Sequence, residues 1–250
     1  MADFSKYDTF VFDLDGTVWD VTKLLPGVSK TFSILKKKGK NVIFVSNHTM
    51  YSRRQIAHRL ERMGLEVEES DIINAGFSVA KWLRAHHASK AMIFGEGIVR
   101  DLREEGIANT KELPVGYVVI GHDRKMNYEK LARIYRASRA GASILTSAVG
   151  RLFYYKGKWY PGMGVVNSAV EAMTGKKPVE LGKPSSWMLK LVMKRVKGRT
   201  VIFGDEVNSD IPFGKKAGWT TVLIKTEVNK LKKGDIRPDF VLRSVADIKV

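Results

Sequence analysis

Short runs of β-branched and aromatic residues alternate with helix-period stretches along almost the whole chain. That alternation constrains the fold more than any other feature. Strands are expected at 9–12, 42–45, 91–94, 117–120, 143–145, 201–203 and 220–224, and helices at 28–38, 52–63, 98–105, 128–140, 165–173 and 185–196. Several of these helices run into a glycine (Gly39, Gly64, Gly106, Gly141, Gly175), the residue that takes a left-handed helix cap at least cost. Strand–helix alternation of this kind builds an α/β fold around a mainly parallel sheet. One region departs from it. "GRLFYYKGKWYPGMG", 150–164, reads as an aromatic hairpin turning at Lys156-Gly157-Lys158, whose rings either pack the hairpin or line a cleft.

Composition sets the outer bounds. At 250 residues, 44% hydrophobic and 28% charged, the chain is an ordinary globular sequence that fits one large domain or two small ones. No apolar run approaches the ~18 residues of a membrane span, and "MADFSKYD" lacks the pattern of a secretory leader, so a soluble cytoplasmic protein is expected. The absence of cysteine excludes disulfides, thiolate metal sites and cysteine nucleophiles. Lysine and arginine total 43 against 26 acidic residues, a net charge of +17, which suits polyanionic or phosphorylated partners. A solvated basic surface accounts for it equally. The densest clusters, 35–40 and 192–199, fall toward helix ends, where the dipole stabilises cations without a partner. No basic patch interleaved with aromatics and no nucleic-acid motif stands out, which counts against nucleic acid and leaves an anionic membrane or a small phosphorylated substrate. A homo-oligomer is compatible with the sequence.

Ligands of parallel α/β sheets collect beyond the C-terminal ends of the strands, and here those ends carry unusual polar residues. "FVFDLDGT" stops at Asp13-Leu14-Asp15, "VIFVSNHT" at Ser46-Asn47 and "VIFGDEVNSD" at Gly204-Asp205, with Asp210 five residues on. "LGKPSSW" puts Lys183 just before a helix start. Taken alone, Asp15-Gly16 is a hairpin turn signal, but a hairpin explains none of the other three pieces. Side chains two apart on a strand face the same way, roughly 6–7 Å between Cα atoms, and two carboxylates that close repel by ~3 kcal/mol at an effective dielectric near 20. Asp205 adds to the repulsion unless a cation or proton intervenes. All-oxygen donors suit Mg²⁺, and a metal, an ammonium and hydrogen-bond donors around one carboxylate are what an incoming phosphoryl group needs.

With these residues in order, "DLDGT" at 13–17, Ser46, Lys183 in "GKP" and "GDEVNSD" at 204–210, the chain resembles the haloacid dehalogenase-like hydrolases. The resemblance implies a doubly wound parallel-sheet core and, in phosphatase members, an aspartyl-phosphate intermediate. The stretch between Ser46 and Lys183 is far longer than one crossover requires. An inserted α/β cap is therefore expected at 77–179, with 1–76 and 180–250 as the catalytic core. The segments 116–131, 141–147, 160–184 and 237–242 are similar to the p-nitrophenyl phosphatase-like subfamily. Two departures touch substrate contacts rather than the core: His48 stands where relatives have a second asparagine, and Thr146-Ser147-Ala148-Val149 replaces their Thr-Asn-x-Asp.

The resemblance implies that Asp13 is the nucleophile and Asp15 the acid–base, the latter also giving its backbone carbonyl to the metal. Asp13 and Asp205 are the expected direct ligands of Mg²⁺, with Asp210 behind them and Ser46, Asn47 and Lys183 on the phosphate. The second aspartate separates phosphoryl transfer from carbon–halogen cleavage, which needs no proton for its leaving group. Asp123 and His48 are further candidates for substrate contact, His122 a weaker one; the adjacent His86 and His87 diverge by ~100° on a helix and suit no shared metal. Trp19 and Asp20 either shape the entrance or pack, packing being the expected role. A phosphotransferase or mutase on the same fold, and a nucleic-acid-binding protein using the +17 charge, are the alternatives.

Overall fold

The computed structural model describes residues 3–155, 157–226, 229 and 231–250; Lys156, in the expected hairpin turn, lies outside them. Along the chain run β1 (Thr9–Phe12), α1 (Val28–Lys37), β2 (Asn41–Ser46), α2 (Arg53–Arg62), β3 (Ile72–Asn74), α3 (Ala75–Ala85), β4 (Lys90–Phe94) and α4 (Glu96–Glu104). Next come β5 (Ala108–Asn109), β6 (Tyr117–Ile120), α5 (Tyr128–Arg139), β7 (Ser143–Thr146), β8 (Leu152–Tyr155), β9 (Lys158–Pro161) and α6 (Met163–Thr174). The chain closes with β10 (Val179–Glu180), α7 (Ser186–Met193), β11 (Thr200–Gly204), α8 (Asp210–Lys216), β12 (Thr220–Ile224) and β13 (Phe240–Leu242). By its contacts the chain divides into two compact units, 1–46, 56–73 and 188–250 on one side, 47–55 and 74–187 on the other. The segment expected as an insert, 77–179, falls wholly within the second.

The first unit holds a six-stranded sheet in the order β13-β12-β11-β1-β2-β3. β1 pairs in parallel with both β2 and β11, and β12 in parallel with β11 and β13. The chain thus winds outward from β1 in one direction, then returns to the other side of β1 and winds out again. Between β1 and β11 the winding reverses, the place where such sheets bind ligands. An aromatic layer fixes these two strands: Phe12 lies 4.9 Å from Phe203 and 4.7 Å from Phe32 of α1, and Phe32 stacks 5.4 Å from Phe44. Contacts of this kind add about 0.5–1.5 kcal/mol each beyond area burial.

The second unit is built on a five-stranded parallel sheet, β10-β7-β6-β4-β5. Period-2 alternation gives it two cores. Ala91, Ile93, Val119 and Leu145 point to the side packed by α3 and α4, while Met92, Phe94, Val118, Ile120 and Ile144 point to the side packed by α5 and α6. β8 and β9 form a separate antiparallel pair with Phe153 opposite Tyr160, so the aromatic stretch is a hairpin outside the parallel sheet.

The seven expected strands and six expected helices are all present, three of the strands with the expected bounds and the rest with shifted ends, and the five helix-ending glycines all take positive φ. Two helices were not expected. α3 is buried at nearly every position of its first two turns, so no polar face marks its period. α8 carries Pro212 and Gly214, both poor helix formers, yet Pro212 sits in the first turn, where no intrahelical N–H is lost. The unexpected strands β3, β5, β10 and β13 have two or three residues each, too few for alternation to show.

Candidate active site

The end of β1 and the end of β11 deliver the first part of the site. The Asp13 N–H donates to the Phe203 carbonyl at 2.8 Å, extending the ladder one residue past β1, and its side chain is buried. Asp205 follows the last residue of β11 and is buried as well. Asp210, fully buried at the start of α8, accepts the Glu206 N–H through Oδ2 at 3.0 Å. One oxygen from each of Asp13, Asp205 and Asp210 lies within 4.8 Å of the others. At that spacing each anionic pair repels by ~3 kcal/mol for an effective dielectric near 20. A set of buried carboxylate oxygens is also the donor chemistry of a hard divalent cation. Asp210, expected behind the ligands, stands within this group, and the carboxylate of Asp15 does not.

Asp15 is held differently. Its Oδ1 accepts the indole N–H of Trp19 at 3.0 Å, and Trp19 is fully buried. Trp19 therefore does more than pack. The turn signal is real but local: Val18 N–H closes on the Leu14 carbonyl at 2.8 Å and Gly16 N–H on that of Trp19 at 2.9 Å, folding the chain back over Asp15 rather than starting a second sheet strand. Gly16 has φ +76°, and a Cβ there would lie 2.5 Å from Asp205 Oδ2. Only glycine allows both the turn and that approach. Asn229 Nδ2 donates to Asp205 Oδ2 at 2.8 Å. Sequence reasoning passed over Asn229, which follows β12 and could have been found by the strand-end rule applied once more. Ser46, buried, ends β2 on the same edge of the sheet.

The second unit holds Asn47, His48, Lys183, His122 and Asp123. Asn47 grips Lys183 at both main-chain groups, accepting its N–H at 2.7 Å and donating Nδ2 to its carbonyl at 3.0 Å; the lysine is 1% exposed. Gly182 has no room for a side chain: a Cβ would lie 2.4 Å from Asn47 Oδ1. The buried ring of His48 stacks on Tyr51 at 5.2 Å. His122 donates its N–H to Thr49 Oγ1 at 2.9 Å and sets its ring edge-on to Phe153. Burial, together with the nearby His48 and Arg124, holds the His122 imidazole below its usual pKa. The Asp123 carboxylate is engaged by Lys130 Nζ at 2.6 Å and the Lys125 N–H at 2.8 Å, closing the turn before α5. His86 bonds its own helix through Nδ1 and the Trp82 carbonyl, at 2.8 Å.

Comparison with known proteins fits this geometry. Residues 10–108 match the family model of the haloacid dehalogenase-like hydrolases, and residues 180–248 match that of the related HAD-hydrolase-like family. The chain is 32% identical to phosphoglycolate phosphatase 2 of Arabidopsis thaliana over 98% of this chain and 93% of that one. Among solved structures it is similar to p-nitrophenyl phosphatase from Archaeoglobus fulgidus, with TM-score 0.87 and 29% identity over 97% of this chain and 98% of that chain. 4-Nitrophenylphosphatase from Thermotoga maritima gives TM-score 0.88 and 25% identity over 97% and 96%. With two separated strand ends meeting in one carboxylate group and the likeness running nearly end to end, the chain belongs to the haloacid dehalogenase-like hydrolases, among their p-nitrophenyl phosphatase-like phosphatases.

Proposed function

We propose that this protein is a Mg²⁺-dependent cytoplasmic phosphatase that hydrolyses small phosphate monoesters through a phosphoryl group carried on Asp13. The observation that carries this reading is the approach of Asp13, Asp205 and Asp210 within 4.8 Å at the β1–β11 reversal, with Asp15 two residues beyond and turned to Trp19. Asp13 and Asp205 would hold the ion together with the Asp15 carbonyl, and Asp210 joins their carboxylate group. When bound, the ion offsets the negative charge that carboxylate and phosphate bring together.

The remaining chemistry belongs to side chains. An Asp13 oxygen attacks phosphorus as the ester P–O bond breaks, and the Asp15 carboxyl gives its proton to the departing alkoxide. Water then attacks the same phosphorus; Asp15 takes its proton, the bond to Asp13 breaks and inorganic phosphate leaves. The Trp19 N–H orients the Asp15 carboxylate for both transfers. Ser46, the Asn47 N–H and Lys183 take the phosphate oxygens, Asn47 also fixing the lysine main chain. His48 lies in the substrate-contacting group, whereas Asp123, tied to Lys130, serves the turn before α5. The segment 77–179 acts as the cap that selects the organic part of the substrate, which is why the relatives' substrates are not carried over.

Phosphate release from p-nitrophenyl phosphate, measured with and without chelator, tests the reading. Activity should vanish in EDTA, return with Mg²⁺ and fall at least ~1,000-fold in Asp13→Asn, the scale set by removing a nucleophile. Full activity in EDTA sinks the metal assignment. Transfer of the phosphoryl group to an added alcohol without free phosphate points instead to a phosphotransferase.

A further inference from the structure

The segment after β2, residues 47–53, carries Asn47 and His48 and lies against α4. Two α4 positions one turn apart, on one face, meet it. A Cβ on Gly97 would fall 2.4 Å from the Thr49 carbonyl oxygen and 2.4 Å from the Met50 carbonyl carbon. Four residues on, Asp101 Oδ1 accepts the Arg53 N–H at 2.7 Å. Its Oδ2 accepts Asn74 Nδ2 at 2.7 Å, and Asn74 Oδ1 in turn caps α3 by accepting the Phe77 N–H at 2.8 Å. Gly76 is bare for the same carboxylate, since a Cβ there would lie 2.1 Å from Asp101 Oδ2.

Asp101 is 3% exposed, and the proposed chemistry does not use it. A buried carboxylate is costly unless its oxygens are bonded. Here it faces the first residues of both α2 and α3, where N–H donors and helix dipoles favour an acceptor-only group. Those starts adjoin the points, 55/56 and 73/74, where the chain passes between its two units.

We propose that Asp101 is a positioning residue for phosphate binding: by tying Arg53 to Asn74 it holds the 47–53 segment, and with it Asn47, in place. The inference rests on the reading that Asn47 and Lys183 take the phosphate. The charged groups acting on Asp101 are Glu104 on its own helix and Arg53 on the segment; Asn74 and Gly76 on the α3 side are neutral. Burial pushes its carboxyl up to about 7, so the closed arrangement keeps a proton that an exposed carboxyl would release, and it is weaker where the group is ionised.

Asp101→Asn keeps an acceptor for Arg53 but sets one amide donor against another at Asn74. KM for p-nitrophenyl phosphate should rise roughly tenfold while kcat changes less, as lost binding of ground and transition states alike predicts. Adding Asn74→Asp reverses the pair, since the new amide donates to the new carboxylate, which still caps α3. That double variant should restore KM to within about threefold. An unchanged KM in Asp101→Asn, or a folded double variant without rescue, overturns the proposal. Should Asp101→Asn fail to fold, hydrogen exchange at the wild-type Arg53 amide, corrected for intrinsic rate, decides. Protection should be greater at pH 6 than at pH 8, and equal protection overturns the proposal. A wild type inert toward phosphate esters fails the underlying reading, and this inference with it.

Discussion

At the scale of single residues, the Trp19 indole N–H on Asp15 is the contact most open to a direct test. Trp19→Phe keeps an aromatic ring in a fully buried position and removes the donor to the carboxylate together with part of the indole's volume. A hydrogen bond to a charged group is worth about 1.5–3 kcal/mol, so kcat should fall roughly 10- to 100-fold with little change in KM, as steady-state kinetics will show. Gly16→Ala tests the turn. It places a methyl 2.5 Å from Asp205 Oδ2 on a backbone with φ +76°, so the carboxylate must move. Displacing a group that much costs on the order of 100-fold in rate; activity near the wild-type value would show that Asp205 needs no fixed position. The electrostatics of the carboxylate group give a further test. In chelator, Asp205→Asn should melt higher than the wild type, because one of three mutually repelling anions within 4.8 Å has gone.

At the scale of elements, α4 joins stability to pH through Asp101. Its carboxyl titrates at about 7 in the folded chain against an ordinary 3.8, the burial outweighing the two hydrogen bonds that favour its charge. Between those values the folded chain keeps a proton that the unfolded chain has released. Unfolding free energy therefore falls as pH rises through that window, by up to ~1.4 kcal/mol per pH unit from this group, and levels off above pH ~7. Urea titrations at pH 5, 6, 7 and 8 should show the slope in the wild type and its loss in Asp101→Asn. α8 shows the opposite relation between sequence and element. A helix holding Pro212 and Gly214 persists because Asp210 accepts the Glu206 N–H and Ile211 and Phe213 are buried beneath it.

At the scale of the whole molecule, the proposed metal would make stability and ion binding one equilibrium. An ion held by the folded first unit stabilises it by about 2.7 kcal/mol at 100 times its Kd, a rise in Tm of roughly 5–10 °C for a chain of this size. Calorimetry with and without Mg²⁺ should show that rise in the wild type and none in Asp205→Asn; an equal rise in both would move the ion elsewhere. Among the described residues no helix is long and apolar enough to cross a membrane.

Alternating apolar runs and helix-ending glycines determined the α/β class by themselves, because strand and helix periods are local properties of the chain. The strand-end rule likewise pointed to Asp13 and Asp205, which the fold brings within 4.8 Å, since parallel sheets put strand ends on one edge. Other features were decided only in three dimensions. Asp210 joins Asp13 and Asp205 because α8 starts against β11, which a spacing of five residues does not reveal. Trp19 meets Asp15 because the chain folds back at Gly16, and Asn229 meets Asp205 from 24 residues away. Asp101 lies on an ordinary amphipathic helix and carries no motif. Its meaning comes from the main-chain N–H that starts α2 and the side-chain amide of Asn74 that caps α3, which the tertiary fold brings to one buried carboxylate.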